Sequence, residues 1–359
     1  MALPNIEATG EIGVMKLGIS IGYAGAKLEL PMKRILRAEE LGFDSVWTAE
    51  TYSSDALTPL AYIAALTKKI RLATGIVQLA ARPPANLAMC AQTIDALAGG
   101  NRMMIGLGVS GPQIVEGWYG QPWGKPNTRI RDYVAIVKKI LKREGPVSHE
   151  GKEISLPYKG PGSIGLGKPL KSIMHGNPNI PILLGTATPT NIRMTAEIAD
   201  GWLTMHLAPE SLKKQYLPIL QEGFAKRTDG KTLKDFEIRG SLAVYINNDV
   251  RAALDALKPG IALYAGGMGA KDKNFHKDAM VDRGFADAAE RIQELYLAGR
   301  KEEAAAAVPD EYVDDENLVG SPERIKERWK RWLDSGITSC CFIGASDEVV
   351  ELMGKIGKG

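Results

Sequence analysis

The sequence predicts an α/β fold, a closed (β/α)8 barrel of the TIM type, and three observations carry that expectation. From Lys16 onward one unit repeats, an apolar strand followed by an amphipathic helix, which is the pattern of a parallel sheet with helices packed outside it. The strands number eight, as a closed barrel requires. A GxGxxG turn that opens a helix and is followed by a strand ending in an acidic residue, the mark of a dinucleotide-binding sheet, is not found; Gly106, Gly108 and Gly111 in GLGVSGP have the spacing but lead into a Gly- and Pro-rich loop. An open doubly wound sheet is the alternative architecture.

In chain order, LGISIGY (17–23) reads as the first strand, and a helix follows from Pro31 to Leu41, with proline in its first turn and Gly42 as its stop. FDSVWTAE (43–50) is the second strand, followed by a helix from Thr58-Pro59 to Lys68-Lys69. IRLATGIVQL (70–79) is the third, followed by a helix from Pro84 to Leu97. RMMIGLGV (102–109) is the fourth; a Gly- and Pro-rich loop and a helix from Thr128 to Arg143 come after it.

ILLG (182–185), GWLTMH (201–206), FEIRGSLAVYI (236–246) and ITSCCFIG (337–344) are strands five to eight. Two long insertions are expected, after strands four and seven, at about 145–180 and 260–320. The first contains SHEGKEISL, which reads as a hairpin, and then a glycine-rich run. The second contains LYAGGMGAKDKNFH and helical stretches at Ala286–Leu297 and Pro322–Trp332. Loops this long inside one domain are usually lids or binding loops. Residues 16–359 are therefore expected to form a single barrel domain behind an extension at 1–15.

Composition excludes several classes. The chain of 359 residues is 45% hydrophobic and 24% charged, as soluble globular proteins are, and its net charge of +3 comes without a basic run interleaved with aromatics, so nucleic acid is not an expected partner. Cys90, Cys340 and Cys341 suit neither a disulfide framework nor zinc, and a reducing cytoplasm is the expected compartment. No signal peptide is expected from the start, which has no apolar core preceded by positive charge, and no apolar run approaches the roughly 20 residues needed to span a bilayer.

In a barrel the chemistry sits where strands end and helices begin. The candidates are Gly22 and Tyr23 after strand one, Glu50, Thr51 and Tyr52 after strand two, Gln78 after strand three, Val109 and Ser110 after strand four, Gly185 to Asn191 after strand five, and His206 after strand six. This set is neutral and hydroxyl-rich, with too few carboxylates and histidines for a metal. Glu50 is either a ligand's acceptor or proton carrier, or an ordinary rim carboxylate. His206 is either an acid/base or a satisfied core residue, and His276 faces either the site or a subunit contact. Gly75, inside a β-branched run, marks a bulge, a close approach or helix packing. Between Gly185 and Asn191, Thr188 suits an N-cap and Pro189 the first helical position; the loop leaves amides at the positive end of a helix dipole, where a phosphate can bind.

These segments together resemble a known family. FDSVWTAETYSSDALTPL, RLATGIVQLAAR, GLGVSGPQIVEGWYGQPWGKP, LGTATPTNIRMTAEIADGW and LYAGGMGAKDKNFH, in this order, are similar to the luciferase-like monooxygenase superfamily, and more closely to its deazaflavin-dependent (coenzyme F420) oxidoreductase branch of mycobacterial and other actinobacterial type. The resemblance implies a barrel that holds the deazaflavin at its strand ends, and a cis peptide at Gly75-Ile76 supporting the ring. Glu50 and Gln78 match ring neighbours, and Val109 and Ser110 match strand-four contacts. Ala187, Thr188, Thr190 and Asn191 match the phosphate loop, and dimers are usual. Two departures stand out: Thr51 lies where several relatives carry histidine, and Gly111-Pro112 where sugar-phosphate dehydrogenases carry glutamate.

The resulting expectation is a hydride transfer between coenzyme F420 and a small organic substrate, an alcohol, a carbonyl or an activated alkene. Glu50, His206, Tyr52 and His276 are the catalytic candidates, and Gly22, Gly75, Ile76 and Gly185 join the cofactor set. An FMN-dependent monooxygenase and a non-catalytic carrier of F420 are the alternatives.

Overall fold

The computed structural model describes residues 15–269 and 274–357, so the expected extension lies outside the described residues, apart from Met15, as do 270–273 of the GGMGAKDK stretch. Its strands are β1 (Lys16–Gly22), β2 (Ser45–Thr48), β3 (Arg71–Thr74), β4 (Val77–Gln78), β5 (Met103–Gly108), β6 (His149–Glu150), β7 (Ser155–Leu156), β8 (Ile182–Gly185), β9 (Gly201–Leu203), β10 (Glu237–Ile246), β11 (Leu318–Gly320) and β12 (Ser339–Ile343). The barrel runs β10-β12-β1-β2-β3-β5-β8-β9 in parallel, and pairing of β9 with β10, Leu203 opposite Arg239, closes it. Eight parallel strands in a closed ring decide between the two architectures left open by the sequence.

Alternation along each strand sorts the side chains. Trp47, Ala73, Met104, Leu183, Leu203 and Cys341 point into the barrel and pack together with Ile76 against them, while Ile19, Val46, Leu72, Ile105 and Ile182 point out into the larger core beneath the helices. Gly106 is the tightest point of the wall: a Cβ there would lie 1.8 Å from the Thr74 carbonyl oxygen, so only glycine lets these strands approach. The arginine of β10, Arg239, is buried in the barrel with its guanidinium 4.1 Å from the Trp47 ring.

The outer helices lie close to their expected positions, among them Met32–Glu40, Thr58–Leu66, Pro84–Leu97, Pro126–Lys142 and Pro189–Ile198. The run expected as one third strand is broken: β3 stops at Thr74, the Gly75-Ile76 peptide is cis, and β4 resumes against β5, Val77 opposite Leu107 and Gln78 opposite Gly108.

The first insertion is a two-stranded antiparallel hairpin, β6 with β7, followed by irregular chain. Asp132 of the helix Pro126–Lys142 holds the hairpin down through His149 Nε2 at 3.0 Å and the amides of Glu153 and Ile154 at 2.8 and 3.1 Å.

The second insertion is more ordered than its sequence suggests. A helix spans Val250–Gly267 across Pro259, and with Phe275–Asp282, Ala286–Leu297, Lys301–Ala306 and Asp310–Glu316 it forms a satellite core around Leu254, Ala262, Met280, Ile292, Leu295 and Tyr312. Pro259-Gly260 reads as a breaker in sequence. The helix continues because its apolar face, Ala253, Leu254, Ala262 and Ala265, is buried, and because Lys258 is anchored between Asp255 and Asp310 at 2.7 and 2.5 Å. β11 then pairs with the far end of β10, Ile246 opposite Gly320, and the helix Pro322–Leu333 returns the chain to the barrel.

Candidate active site

Three groups of side chains occupy the C-terminal rim. The first surrounds Glu50, whose side chain is only 2% exposed. Its Oε1 accepts the Gln78 amide at 2.8 Å and Arg82 Nη1 at 3.3 Å; its Oε2 accepts Arg82 Nη2 at 2.9 Å and the Ala56 amide at 3.2 Å. Both oxygens are thus engaged by an amide and by one prong of a guanidinium, the two-pronged geometry that arginine makes with carboxylates. This arrangement suits a carboxylate that holds strand ends in place better than one that exchanges protons.

Gln78 links that pair to the fourth barrel strand. Its Nε2 donates to the Glu50 carbonyl and to Ser110 Oγ, both at 3.2 Å, and Ser110 itself has φ 69°, a left-handed backbone unusual for a side-chain-bearing residue. Gln78 Oε1 is buried and has no hydrogen-bond partner among the described residues. An orphaned acceptor is costly in an apolar setting and calls for a ligand's N–H or O–H donor.

The second group is the floor and the anion end. The Ile76 side chain is enclosed by two glycines, for a Cβ at Gly108 would lie 3.0 Å from it and one at Gly185 3.1 Å. After β8, Thr188 caps the helix Pro189–Ile198: its Oγ1 accepts the Asn191 amide at 3.4 Å. Thr186 is buried, its hydroxyl 2.8 Å from that of Thr195 and its carbonyl accepting Trp202 Nε1 at 2.8 Å. Among the described residues the amides of Ala187, Thr188 and Thr190 have no partner, which leaves donors at the positive helix end.

The third group joins β9 to the helical insertion. His206 has φ 51°, a second strained backbone at a strand end. Its Nε2 lies 2.8 Å from His276 Nδ1 and its Nδ1 3.2 Å from Glu316 Oε2, while Arg283 binds the other oxygen of Glu316. The His276 ring lies 4.7 Å from that of Tyr264, which has Tyr23 as a neighbour. Burial, then the Tyr23 neighbour, pushes the Tyr264 phenol up to about 12. Burial, and then His206, pushes His276 down from 6.5 to about 3.

A stability effect follows from His276. A folded value below the unfolded one means that the stabilisation is complete above pH 6.5 and drains away as pH falls toward the folded value. Denaturant unfolding at neutral pH and at about pH 4 is expected to show an acid loss about 2–3 kcal/mol smaller in His276→Gln than in the parent chain.

The other candidates fall at the margin. Gly22 has φ 62° and, with Tyr23, Thr48 and Ser54, lines a cavity of about 120 Å³ beside β1. Tyr52 is 59% exposed and packs on Trp118 at 6.3 Å, so it stands at the mouth. Val109 packs at the edge of the main core. Among the described residues no hydrogen bond or ion pair joins Glu50, Arg82 or Gln78 to His206 or His276.

Arg82, Glu316, Arg283 and Tyr264 are absent from the sequence candidates. Arg82 had a signal, a charge four positions beyond Gln78 at an otherwise uncharged strand end; Glu316 had none, being 110 positions from His206.

Fold and rim define the class first: a (β/α)8 barrel with a broken third strand, an anion-accepting helix start and a helical cap. The luciferase-like monooxygenase family profile matches residues 17–339, and the chain belongs to that family. It is 44% identical to a Mycobacterium tuberculosis protein provisionally named a coenzyme F420-dependent oxidoreductase, over 94% of this chain and 97% of that one. It is 26% identical to the 5,10-methylenetetrahydromethanopterin reductase of Methanopyrus kandleri, over 89% of this chain and 90% of its own. A solved structure, the coenzyme F420 dependent tetrahydromethanopterin reductase of Methanopyrus kandleri, shares the fold with a TM-score of 0.77 at 23% identity, covering 96% of this chain and 98% of that one. No helix among the described residues is long and apolar enough to cross a membrane.

Proposed function

We propose that this chain is a coenzyme F420-dependent oxidoreductase that moves a hydride between the deazaflavin and a small organic substrate, an alcohol or carbonyl or an activated alkene. The observation that carries the reading is the buried, unpartnered Gln78 Oε1 beside Ser110 and above the Ile76 floor. It suits a flat heterocycle with an N–H on its edge, and the pyrimidinedione edge of a deazaflavin has one. The open amides after β8 suit the cofactor's phosphate, and the provisional name of the relative at 44% identity supports the same cofactor.

When bound, the deazaflavin supplies the hydride chemistry. Gln78, Ser110 and Ile76 orient the ring, and Ala187, Thr188, Thr190 and Asn191 hold the phosphate. The Glu50–Arg82 pair fixes the ends of the second and third barrel strands, so Glu50 acts through Gln78 and not as a proton carrier. His276 and His206 move the proton that accompanies the hydride.

Titration of the purified chain with F420 and, separately, with FMN tests this reading. Saturable F420 binding without FMN binding is expected. Tight FMN binding with no response to F420 would make the chain an oxygen-using flavin enzyme instead. F420 binding with an unchanged redox state across a broad substrate panel would make it a carrier.

A further inference from the structure

We infer that His276 and His206 form a one-proton relay, in which His276 exchanges the proton at the rim, His206 stores the charge, and Glu316, held by Arg283, is the positioning residue that sets the direction. The inference rests on the proposed function for the origin of the proton, and on geometry for the path.

The path follows from which atoms can donate. A carboxylate only accepts, so the 3.2 Å contact from His206 Nδ1 to Glu316 Oε2 requires the proton on Nδ1. With His206 neutral, its Nε2 is then an acceptor, and the 2.8 Å contact requires His276 to carry its proton on Nδ1. The outer nitrogen of His276, Nε2, is left as a bare acceptor, and it has no partner among the described residues. A proton arriving there displaces the Nδ1 proton of His276 across the 2.8 Å bond onto His206 Nε2. His276 ends neutral, now protonated on Nε2, and His206 ends as an imidazolium against Glu316. Two N–H bonds form, at His276 Nε2 and His206 Nε2, and two bonds break, the donor's bond to the arriving proton and His276 Nδ1–H; nothing is oxidised or reduced, and the reverse shift returns the proton. The substrate it serves is one that releases or takes up a single proton for each hydride.

The surroundings place the charge on the inner ring. His206 faces Glu316, His276 and the ring of Tyr312; His276 faces His206 and Tyr264, and brings no carboxylate of its own among the described residues. Burial beside another imidazole disfavours a cation on His276, as its lowered value shows. Glu316 is gripped by Arg283, which also contacts Asp315 at 3.5 Å and stacks at 4.3 Å on Tyr312.

His276 is itself placed with care. Asn274, buried, accepts the amides of His276 and Lys277 at 3.0 and 3.2 Å. Its Nδ2 donates to the carbonyls of Tyr264 and Ala265 at 3.0 and 2.8 Å, tying the start of one insertion helix to the end of another.

Histidine-selective nitrogen NMR on the cofactor-free protein tests the relay directly. The chain has four histidines, so single replacements of His206 and His276 assign their signals. On acidification the proton of His276 is expected to move from Nδ1 to Nε2 without the ring becoming charged, over the same pH interval in which His206 gains its second proton. In Glu316→Gln this joint step is expected about one pH unit or more lower; Glu316→Asp, which keeps the charge, restores it at least in part. Rings that titrate independently, or a joint step unmoved in a folded Glu316→Gln, overturn the relay. The titration of the parent chain stands even if a variant fails to fold. Loss of the relay with F420 binding intact leaves the proposed function standing, and an intact relay without F420 binding removes only that function.

Discussion

Replacing Arg82 by leucine is expected to lower the unfolding free energy by about 3–5 kcal/mol, because it strands a buried carboxylate that keeps two amide donors but no cation. The Glu50 side chain is 2% exposed in the intact pair, so its charge relies on the guanidinium and the two amides and not on bulk water. Adding Glu50→Gln removes the stranded charge and is expected to recover part of the loss. A double-mutant cycle measured by denaturant unfolding should then give a coupling of about 2 kcal/mol or more. A coupling near zero would mean that the pair is ornamental and that the rim is held by backbone pairing alone.

Replacing His276 by glutamine is expected to reduce turnover by about 10²–10⁴-fold, the range lost with a general acid/base, while F420 affinity stays within about a factor of two. The same range holds for His206→Gln, and the double variant should be little worse than either single one, since residues that work as one unit do not add. Rapid-mixing records of deazaflavin absorbance with an oxidisable substrate separate the step from product release. Single-turnover rates within a few-fold of the parent would remove the histidines from the chemistry.

The barrel was legible because its signals are local and repeated. Each strand is a short apolar run, each helix has its own start and stop residues, and the pairing of β9 with β10 only completes a ring that the count of strands implied. Thr188 as a helix cap was legible for the same reason: its bond to Asn191 spans three residues.

What was hidden depends on distance in sequence. Glu50 carries no mark that its partner is Arg82, 32 positions on, and a rim carboxylate looks the same in sequence whether solvated or clamped. His206 and His276 were visible as residues but not as a pair, since 70 positions and a helix that the sequence pattern did not indicate separate them. Pro259-Gly260 is a local instruction to stop, overruled by burial of one helix face and by the anchoring of Lys258, terms that only tertiary packing supplies.

The pairing of Ile246 with Gly320 carries a further consequence. The helical insertion leaves the far end of β10 and comes back beside it in β11, a strand outside the ring, so the ring of eight strands closes without reference to what lies between. Such a segment is a cartridge. Descendants of one ancestral barrel can lengthen, trim or exchange it and keep the shared rim intact, and in this chain the cartridge brings His276, Tyr264 and Glu316 to a scaffold that supplies His206 alone. A change confined to the cap can then present different chemistry to the rim without disturbing how the ring closes.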